Sequence, residues 1–131
     1  MKRIVIADDS VTARMFTRRC LEISGMVDEA KLVDTANGIE ALAALREAPA
    51  DLLITDLNMP EMDGEALLAR VISSPKFNRV PVMVITSADG EARSQKLLAM
   101  GAKEILRKPI SPPMVAAALE RIMGAHEEEW G

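Results

Sequence analysis

The residues most able to do chemistry come directly after short apolar runs of the sequence. Asp8 and Asp9 follow one such run, residues 4–7, and Asp56 ends another, residues 52–56. Two further runs are followed by a pair of hydroxyl side chains and by a cation, which are Thr86 with Ser87 and Lys108. Carboxylates gathered beside an ammonium group suit a hard divalent cation and a phosphoryl group. These residue types predict a site for both, provided that the fold brings the ends of the runs together.

The elements that must position these residues follow the alternation typical of βαβ units, with short apolar runs between longer stretches of helical period. We predict strands at residues 3–8, 29–35, 51–56, 80–86 and 103–107, and helices at residues 11–24, 38–48, 64–74, 90–100 and 112–126. The first, third and fourth strands are largely apolar, as expected where helices cover both faces. The second and fifth carry the charges expected of edge strands.

This pattern predicts an α/β fold, a doubly wound (βα)5 domain with a five-stranded parallel sheet in the order 2-1-3-4-5 and helices on both faces. Ligands of such sheets bind at the carboxyl ends of the strands. Asp8, Asp9, Asp56, Thr86 and Lys108 should therefore surround one point. The carboxylates there should repel one another until a cation binds.

Length and composition limit the classes of protein to consider. The 131 residues predict one domain, residues 1–124, followed by a short C-terminal tail, residues 125–131. A formal net charge of −4 gives no reason to expect binding to nucleic acid or to a membrane. The single cysteine, Cys20, excludes an internal disulfide, and no apolar run is long enough for a signal peptide or a membrane span. We expect a cytoplasmic protein.

Four stretches of the chain closely resemble the receiver domain of two-component response regulators, the CheY-like superfamily. They are IADDS at residues 6–10, TDLNMPEMDG at residues 55–64, ITSA at residues 85–88 and KP at residues 108–109. The resemblance runs from residue 3 to about residue 123, which leaves only the short tail. It implies a receiver that takes a phosphoryl group from a histidine kinase or a histidine phosphotransfer protein, either as a stand-alone protein or as a fragment of a longer regulator. Such a receiver signals to an output partner by conformational change.

The resemblance also assigns roles to individual residues of the predicted site. Asp56 would be the phospho-acceptor, and Asp9 and Asp56 would bind Mg²⁺ directly. Asp8 would bind the ion through a water molecule, and Asn58 through its backbone carbonyl. A carboxylate attacks phosphorus poorly unless the charge on the phosphoryl oxygens is offset, and the cation and the lysine would offset it.

A second group of residues would bind the phosphoryl group and respond to it. The hydroxyl of Thr86 would donate to the phosphoryl oxygens, and the small Ser87 beside it would keep access to Asp56 open. Lys108 would pair with Asp56 before phosphorylation and with the phosphoryl oxygens afterwards. The peptide bond from Lys108 to Pro109 would be cis, as in the family.

Partner recognition is predicted at two places. The resemblance implies that the first helix, with Arg14 and Arg18 one turn apart, docks the kinase or phosphotransfer protein. The alternative is a solvated helix face with an Arg18–Glu22 pair. Ile105 stands where many receivers carry Tyr or Phe, so an aliphatic side chain would have to repack in place of an aromatic ring. The sequence does not identify the output protein. We expect a monomer that could dimerise on phosphorylation.

Three other classes of protein share part of this pattern. Phosphatases of the haloacid dehalogenase type carry an Asp-x-Asp motif after the first strand, where this chain has Asp8-Asp9-Ser10. A flavodoxin-like FMN binder needs a phosphate loop there, and the two carboxylates would repel the phosphate. The remaining alternative is a phosphorylation-independent binding module, a pseudo-receiver. We expect no enzyme activity beyond Mg²⁺-dependent phosphorylation and dephosphorylation of the chain's own aspartate.

Overall fold

Five strands alternate with five helices in a computed structural model that describes residues 1–87 and 91–130, with side chains as far as residue 124. The strands are β1 Arg3–Ala7, β2 Lys31–Thr35, β3 Leu52–Asp56, β4 Val82–Thr86 and β5 Glu104–Arg107. The helices are α1 Val11–Ser24, α2 Gly38–Glu47, α3 Gly64–Ser73, α4 Glu91–Met100 and α5 Pro112–Trp130. Three predicted positions lie outside the described residues: Ala88 in the third receiver-like stretch, Gly90 at the start of the fourth helix and Gly131 at the end of the predicted tail.

The strands form one parallel sheet in the order β2-β1-β3-β4-β5, which confirms the predicted doubly wound fold. β1, β3 and β4 are buried along their whole length, whereas the edge strand β2 exposes Lys31 and Asp34. Within the sheet, β1 lies beside β3, and Ala7 pairs with Thr55. This register sets the residues that follow β1 next to the end of β3.

Helices cover both faces of the sheet because successive side chains of each strand point to opposite faces. Val5 and Leu53 pack against α2, α3 and α4 on one face. Ile4 and Ile6 pack against α1 and α5 on the other. Both faces are therefore occupied by apolar core, and the polar residues at the carboxyl ends of the strands are left at the edge of the sheet.

Two boundaries show why the predicted elements are slightly too long. β2 begins at Lys31 instead of residue 29, because the Ala30 N–H donates to the Val27 carbonyl at 2.9 Å in a preceding turn. α2 ends before Ala48, which has extended backbone at φ −158°. Ala48 precedes Pro49, and the proline ring disfavours helical backbone in the residue before it.

The largest difference from the prediction is at the C-terminal helix. α5 is Pro112–Trp130, whereas the sequence pattern predicts residues 112–126. The division of the chain into a domain and a tail at residue 124 stays a prediction. None of the helices in the described part of the chain combines the length and apolar character needed to cross a membrane.

Candidate functional site

Three aspartates meet at the carboxyl end of the two central strands β1 and β3. Asp8, Asp9 and Asp56 each offer a carboxylate oxygen, and these oxygens all lie within 4.8 Å of one another. Asp56 is the last residue of β3, and Asp8 and Asp9 follow β1 directly. Asp8 is 6% exposed and Asp56 is 7% exposed, whereas Asp9 is open to solvent. The structure thus gathers the three predicted carboxylates into one acidic cluster.

Lys108 brings a positive charge to this cluster from the far side of the sheet. Its Nζ lies 3.1 Å from Asp56 Oδ1. The backbone N–H of Lys108 donates to the Thr86 carbonyl at 2.9 Å, which ties the end of β5 to the end of β4. The Lys108–Pro109 peptide bond is cis, which confirms that prediction. Thr86 is buried and Ser87 is exposed at the same edge of the sheet.

The loop after Asp56 is held against the site by the start of α3. Asp63 caps this helix, its Oδ1 accepting from the Ala66 N–H at 2.8 Å, and the Gly64 N–H donates to the Leu57 carbonyl at 2.9 Å. A Cβ atom at Gly64 would lie only 2.1 Å from the Asp56 carbonyl oxygen, so no other residue fits here without a backbone shift. In the sequence, Gly64 is only the last residue of the second receiver-like stretch. The structure shows that Gly64 allows α3 to pack closely against the backbone of Asp56.

The electrostatics of the acidic cluster favour a bound cation. Burial raises the pKa of the Asp8 carboxyl above its ordinary value of 3.8, and repulsion from Asp56 and Asp9 acts in the same direction. A hydrogen bond from the Ser10 N–H, at 2.9 Å, and the charge of Lys108 oppose this rise in pKa. Three carboxylates and one ammonium group leave the cluster with a net negative charge, which an added cation would offset.

The donor atoms of the cluster fit Mg²⁺. This ion binds oxygen ligands, keeps several of its water molecules and needs only one or two carboxylates from the protein. Asp8, Asp9 and Asp56 supply carboxylate oxygens close together, and the exposed Asn58 lies two residues beyond Asp56. These residues would hold the ion, with the open side at Asp9 leaving room for its waters.

Ile105 lies on β5 opposite Val84 and is partly buried. It packs against the apolar core on the face of the sheet that α2, α3 and α4 cover. An aliphatic side chain therefore occupies the predicted switch position. Its branched shape fills part of the core there without a ring or a polar atom.

Arg14 and Arg18 of α1 turn towards the sheet. Arg14 Nη1 donates to the backbone carbonyl of Asp8, and Arg14 Nε lies 4.0 Å from Asp34 Oδ2. Arg18 Nη1 lies 3.1 Å from Asp34 Oδ1, so the ion pair of Arg18 is with β2 and differs from the Arg18–Glu22 alternative. The exposed apolar residues of α1 are Val11, Met15, Phe16 and Ile23. Docking through Arg14 and Arg18 stays a prediction.

A five-stranded doubly wound parallel sheet with an acidic cluster and a lysine at its carboxyl edge defines a class of α/β domains, and comparison with known families identifies that class. The model of the response regulator receiver domain matches residues 4–120, and the chain therefore belongs to this family. It is 33% identical to the chemotaxis protein CheY1 of Helicobacter pylori, over 95% of this chain and 99% of the relative. A probable chemotaxis protein CheY of Rhizobium etli is 29% identical over 94% of this chain and 93% of its own.

Solved structures show the same fold. The chemotaxis response regulator CheY4 of Vibrio cholerae superposes with a TM-score of 0.81 at 29% identity, covering 93% of this chain and 98% of its own. The receiver domain of the sensor histidine kinase PA1611 of Pseudomonas aeruginosa has a TM-score of 0.80 at 20% identity, covering 94% and 98% of the two chains. That structure holds a magnesium ion in its active site cleft. The chain is thus a receiver domain of the CheY type.

Proposed function

We propose that Asp56 accepts a phosphoryl group from a phosphohistidine of a kinase or phosphotransfer protein, in a reaction that depends on Mg²⁺. The observation that carries this proposal is the gathering of the Asp8, Asp9 and Asp56 oxygens within 4.8 Å, with Lys108 Nζ 3.1 Å from Asp56 Oδ1. Asp9 and Asp56 would bind the ion directly, Asp8 through water and Asn58 through its carbonyl.

The transfer needs little beyond positioning and charge. An Asp56 carboxylate oxygen attacks phosphorus, the bond from phosphorus to the donor's imidazole nitrogen breaks, and the imidazole leaves. Mg²⁺, when bound, offsets charge on the phosphoryl oxygens. Lys108 neutralises Asp56 in the resting protein and pairs with the phosphoryl oxygens in the product, while the Thr86 hydroxyl adds a neutral donor. Catalysis is limited to phosphorylation of the chain's own aspartate and hydrolysis of the resulting aspartyl phosphate.

Receiver domains work between a histidine kinase and an output protein, and we propose the same place for this chain. The donor would dock on α1, where Arg18 is 36% exposed and where Val11, Met15 and Phe16 offer apolar side chains to a partner. Repacking of Ile105 would carry the signal to an output protein, whose identity the sequence does not predict. The cytoplasmic location and a monomer that could dimerise on phosphorylation also remain predictions.

The decisive experiment is an intact-mass measurement after incubation with acetyl phosphate, with and without Mg²⁺. We expect the wild-type protein to gain about 80 Da, the mass of one phosphoryl group, only when Mg²⁺ is present. Asp56→Asn should show no gain. Asp51→Asn is the matched control, because Asp51 lies directly before the start of β3 and Asp56 is the last residue of the same strand. This variant should be phosphorylated like the wild type.

Two outcomes would separate the proposal from its alternative. A wild-type protein that binds neither Mg²⁺ nor beryllofluoride would contradict phosphorylation at Asp56 and leave the phosphorylation-independent binding module. A protein that binds beryllofluoride with Mg²⁺ but gains no mass still has a working site, because this ion is held as the phosphoryl group would be. In that case acetyl phosphate does not serve as a phosphoryl donor, and a histidine kinase or phosphotransfer protein is required.

A further inference from the structure

Arg14 connects the first helix to the acidic cluster without contacting any carboxylate of that cluster. Its Nη1 donates to the backbone carbonyl of Asp8, the residue that follows β1. The Asp8 N–H donates to the Thr35 carbonyl at 3.0 Å, so both peptide groups of Asp8 are tied down. On the other side of Asp9, the Ser10 N–H donates to Asp8 Oδ1 at 2.9 Å. The turn that carries Asp9 is therefore held on both flanks.

This restraint is important for Asp9 because burial does not hold its side chain. Asp9 is exposed, and its carboxylate reaches the acidic cluster only if the backbone at residues 8–10 keeps its direction. The peptide group between Asp8 and Asp9 includes the carbonyl that Arg14 binds. Rotation of that peptide group would break the hydrogen bond from Arg14 and turn Asp9 away from Asp56.

The surroundings of Arg14 indicate a structural tie rather than a surface for partners. Its side chain is only 14% exposed, against 36% for Arg18, and its Nε is buried. Asp34 on β2 faces both guanidinium groups, at 4.0 Å from Arg14 Nε and 3.1 Å from Arg18 Nη1. Arg14 thus bridges β2 and the end of β1, and a planar guanidinium with several donors suits such a bridge.

We propose that Arg14 is a positioning residue for Mg²⁺ binding: through the Asp8 carbonyl it keeps the Asp8 and Asp9 carboxylates at the spacing that the ion needs. This inference rests on the proposed function, since it assumes that the acidic cluster binds Mg²⁺. It gives Arg14 a role distinct from docking. Groups that orient metal ligands without touching the metal change metal affinity about 10–100-fold when they are removed.

Electrostatics alone makes the opposite prediction, which gives a sharp test. Removing a positive charge near a cation site should tighten Mg²⁺ binding slightly. If Arg14 positions the carboxylates, Arg14→Gln should instead weaken binding, by about tenfold. Arg18→Ala is the matched control, because it removes a positive charge that also pairs with Asp34 but leaves the Asp8 carbonyl bonded. Its Mg²⁺ affinity should equal or slightly exceed that of the wild type.

The experiment is a calorimetric Mg²⁺ titration of the wild type, Arg14→Gln and Arg18→Ala, each first shown to be folded in EDTA. If Arg14→Gln does not fold, Arg14→Lys takes its place and should also bind Mg²⁺ more weakly than the wild type, since one ammonium group cannot bridge Asp34 and the Asp8 carbonyl. Wild-type affinity or tighter binding in the variant tested would overturn the inference. A wild-type protein that binds no Mg²⁺ would instead overturn the proposed function.

A metal-free measurement tests the same restraint independently. In EDTA, the amide of Ser10 should exchange its hydrogen faster in Arg14→Gln than in the wild type, because the turn is released on one flank. Arg18→Ala should leave that exchange rate unchanged. Equal exchange rates at Ser10 in all three proteins would show that Arg14 does not hold the turn.

Discussion

The two ends of β1 both carry a buried charge, but they use it in opposite ways. At the amino end, Arg3 Nη1 donates to the carbonyls of Ala44 and Ala48, at 2.9 and 2.7 Å, at the C-terminal end of α2. A cation there meets unpaired carbonyls and the negative end of the helix dipole. At the carboxyl end, Asp8 lies buried among other carboxylates that repel it. One charge stabilises the fold, whereas burial and repulsion disfavour the other in the absence of a bound cation.

The same contrast separates the two aspartates at the ends of β3. Asp51 Oδ2 accepts from the backbone N–H groups of Lys2 and Arg3, at 2.6 and 3.1 Å. Asp56 has its ion pair with Lys108 but also faces Asp8 and Asp9. Fixed backbone donors satisfy the first carboxylate, whereas the second faces like charges and, in the proposed function, would bind a cation and a phosphoryl group. In this sheet, the partners of a charged side chain distinguish its role more than its burial does.

The largest effect is expected at the amino end of the sheet. Arg3→Met keeps much of the apolar length of the side chain but leaves the Ala44 and Ala48 carbonyls without their donor. We expect the free energy of unfolding to fall by about 2–4 kcal/mol, since unsatisfied buried polar groups cost about 1–3 kcal/mol each. Urea denaturation measures the change. Lys2→Met, at an exposed neighbouring side chain, should stay within about 0.5 kcal/mol of the wild type.

At the carboxyl end, removal of a charge should stabilise the metal-free protein. Asp8→Asn keeps an oxygen acceptor for the Ser10 N–H and removes a carboxylate that burial and repulsion disfavour. We expect a gain of about 1–2 kcal/mol in EDTA at pH 7, measured by urea denaturation. Saturating Mg²⁺ should cancel this gain, because the wild type then benefits from the ion and the variant benefits less.

The pH dependence of that gain has a definite sign. The pKa of Asp8 is higher in the folded than in the unfolded protein, so the folded state binds the proton more tightly. The wild type therefore loses stability as the pH rises from the unfolded-state pKa to the folded-state pKa. The advantage of Asp8→Asn should therefore grow as pH rises above about 3.8 and vanish at lower pH, where Asp8 is protonated in both states. An advantage that persists unchanged into acid would show that the charge of Asp8 is not its cause.

Which features of the fold and the site the sequence predicts depends on whether the underlying interaction leaves a pattern in the sequence. The sheet order is predictable because burial leaves a pattern in each strand: Leu52 and Leu53 mark a central strand, and Lys31 and Asp34 an edge. The convergence of Asp8, Asp9 and Asp56 follows from strand ends alone. The parallel topology places these ends at one edge, whatever the details of the loops.

Contacts between distant side chains and backbone groups have no such pattern. Arg3 reaches Ala44 across 41 positions of sequence, and Arg14 reaches back to Asp8 over the first turns of α1. From spacing on the helix alone, Arg14 and Arg18 are equivalent members of one face. Their difference arises from how α1 lies against β2 and the end of β1, which only the coordinates show.

The smallest expected effect is at Asp51, and it provides the sharpest test of the comparison between the two ends. Asp51→Asn weakens two hydrogen bonds from backbone donors by removing the charge, so we expect a loss of about 0.5–1 kcal/mol in urea denaturation. The chain has a net charge of −4, so any loss of an acidic residue could stabilise it by reducing overall repulsion. If Asp51→Asn and Asp8→Asn both stabilise the metal-free protein, net charge is the common cause and the two ends do not differ. Opposite signs can arise only from the local partners of each carboxylate.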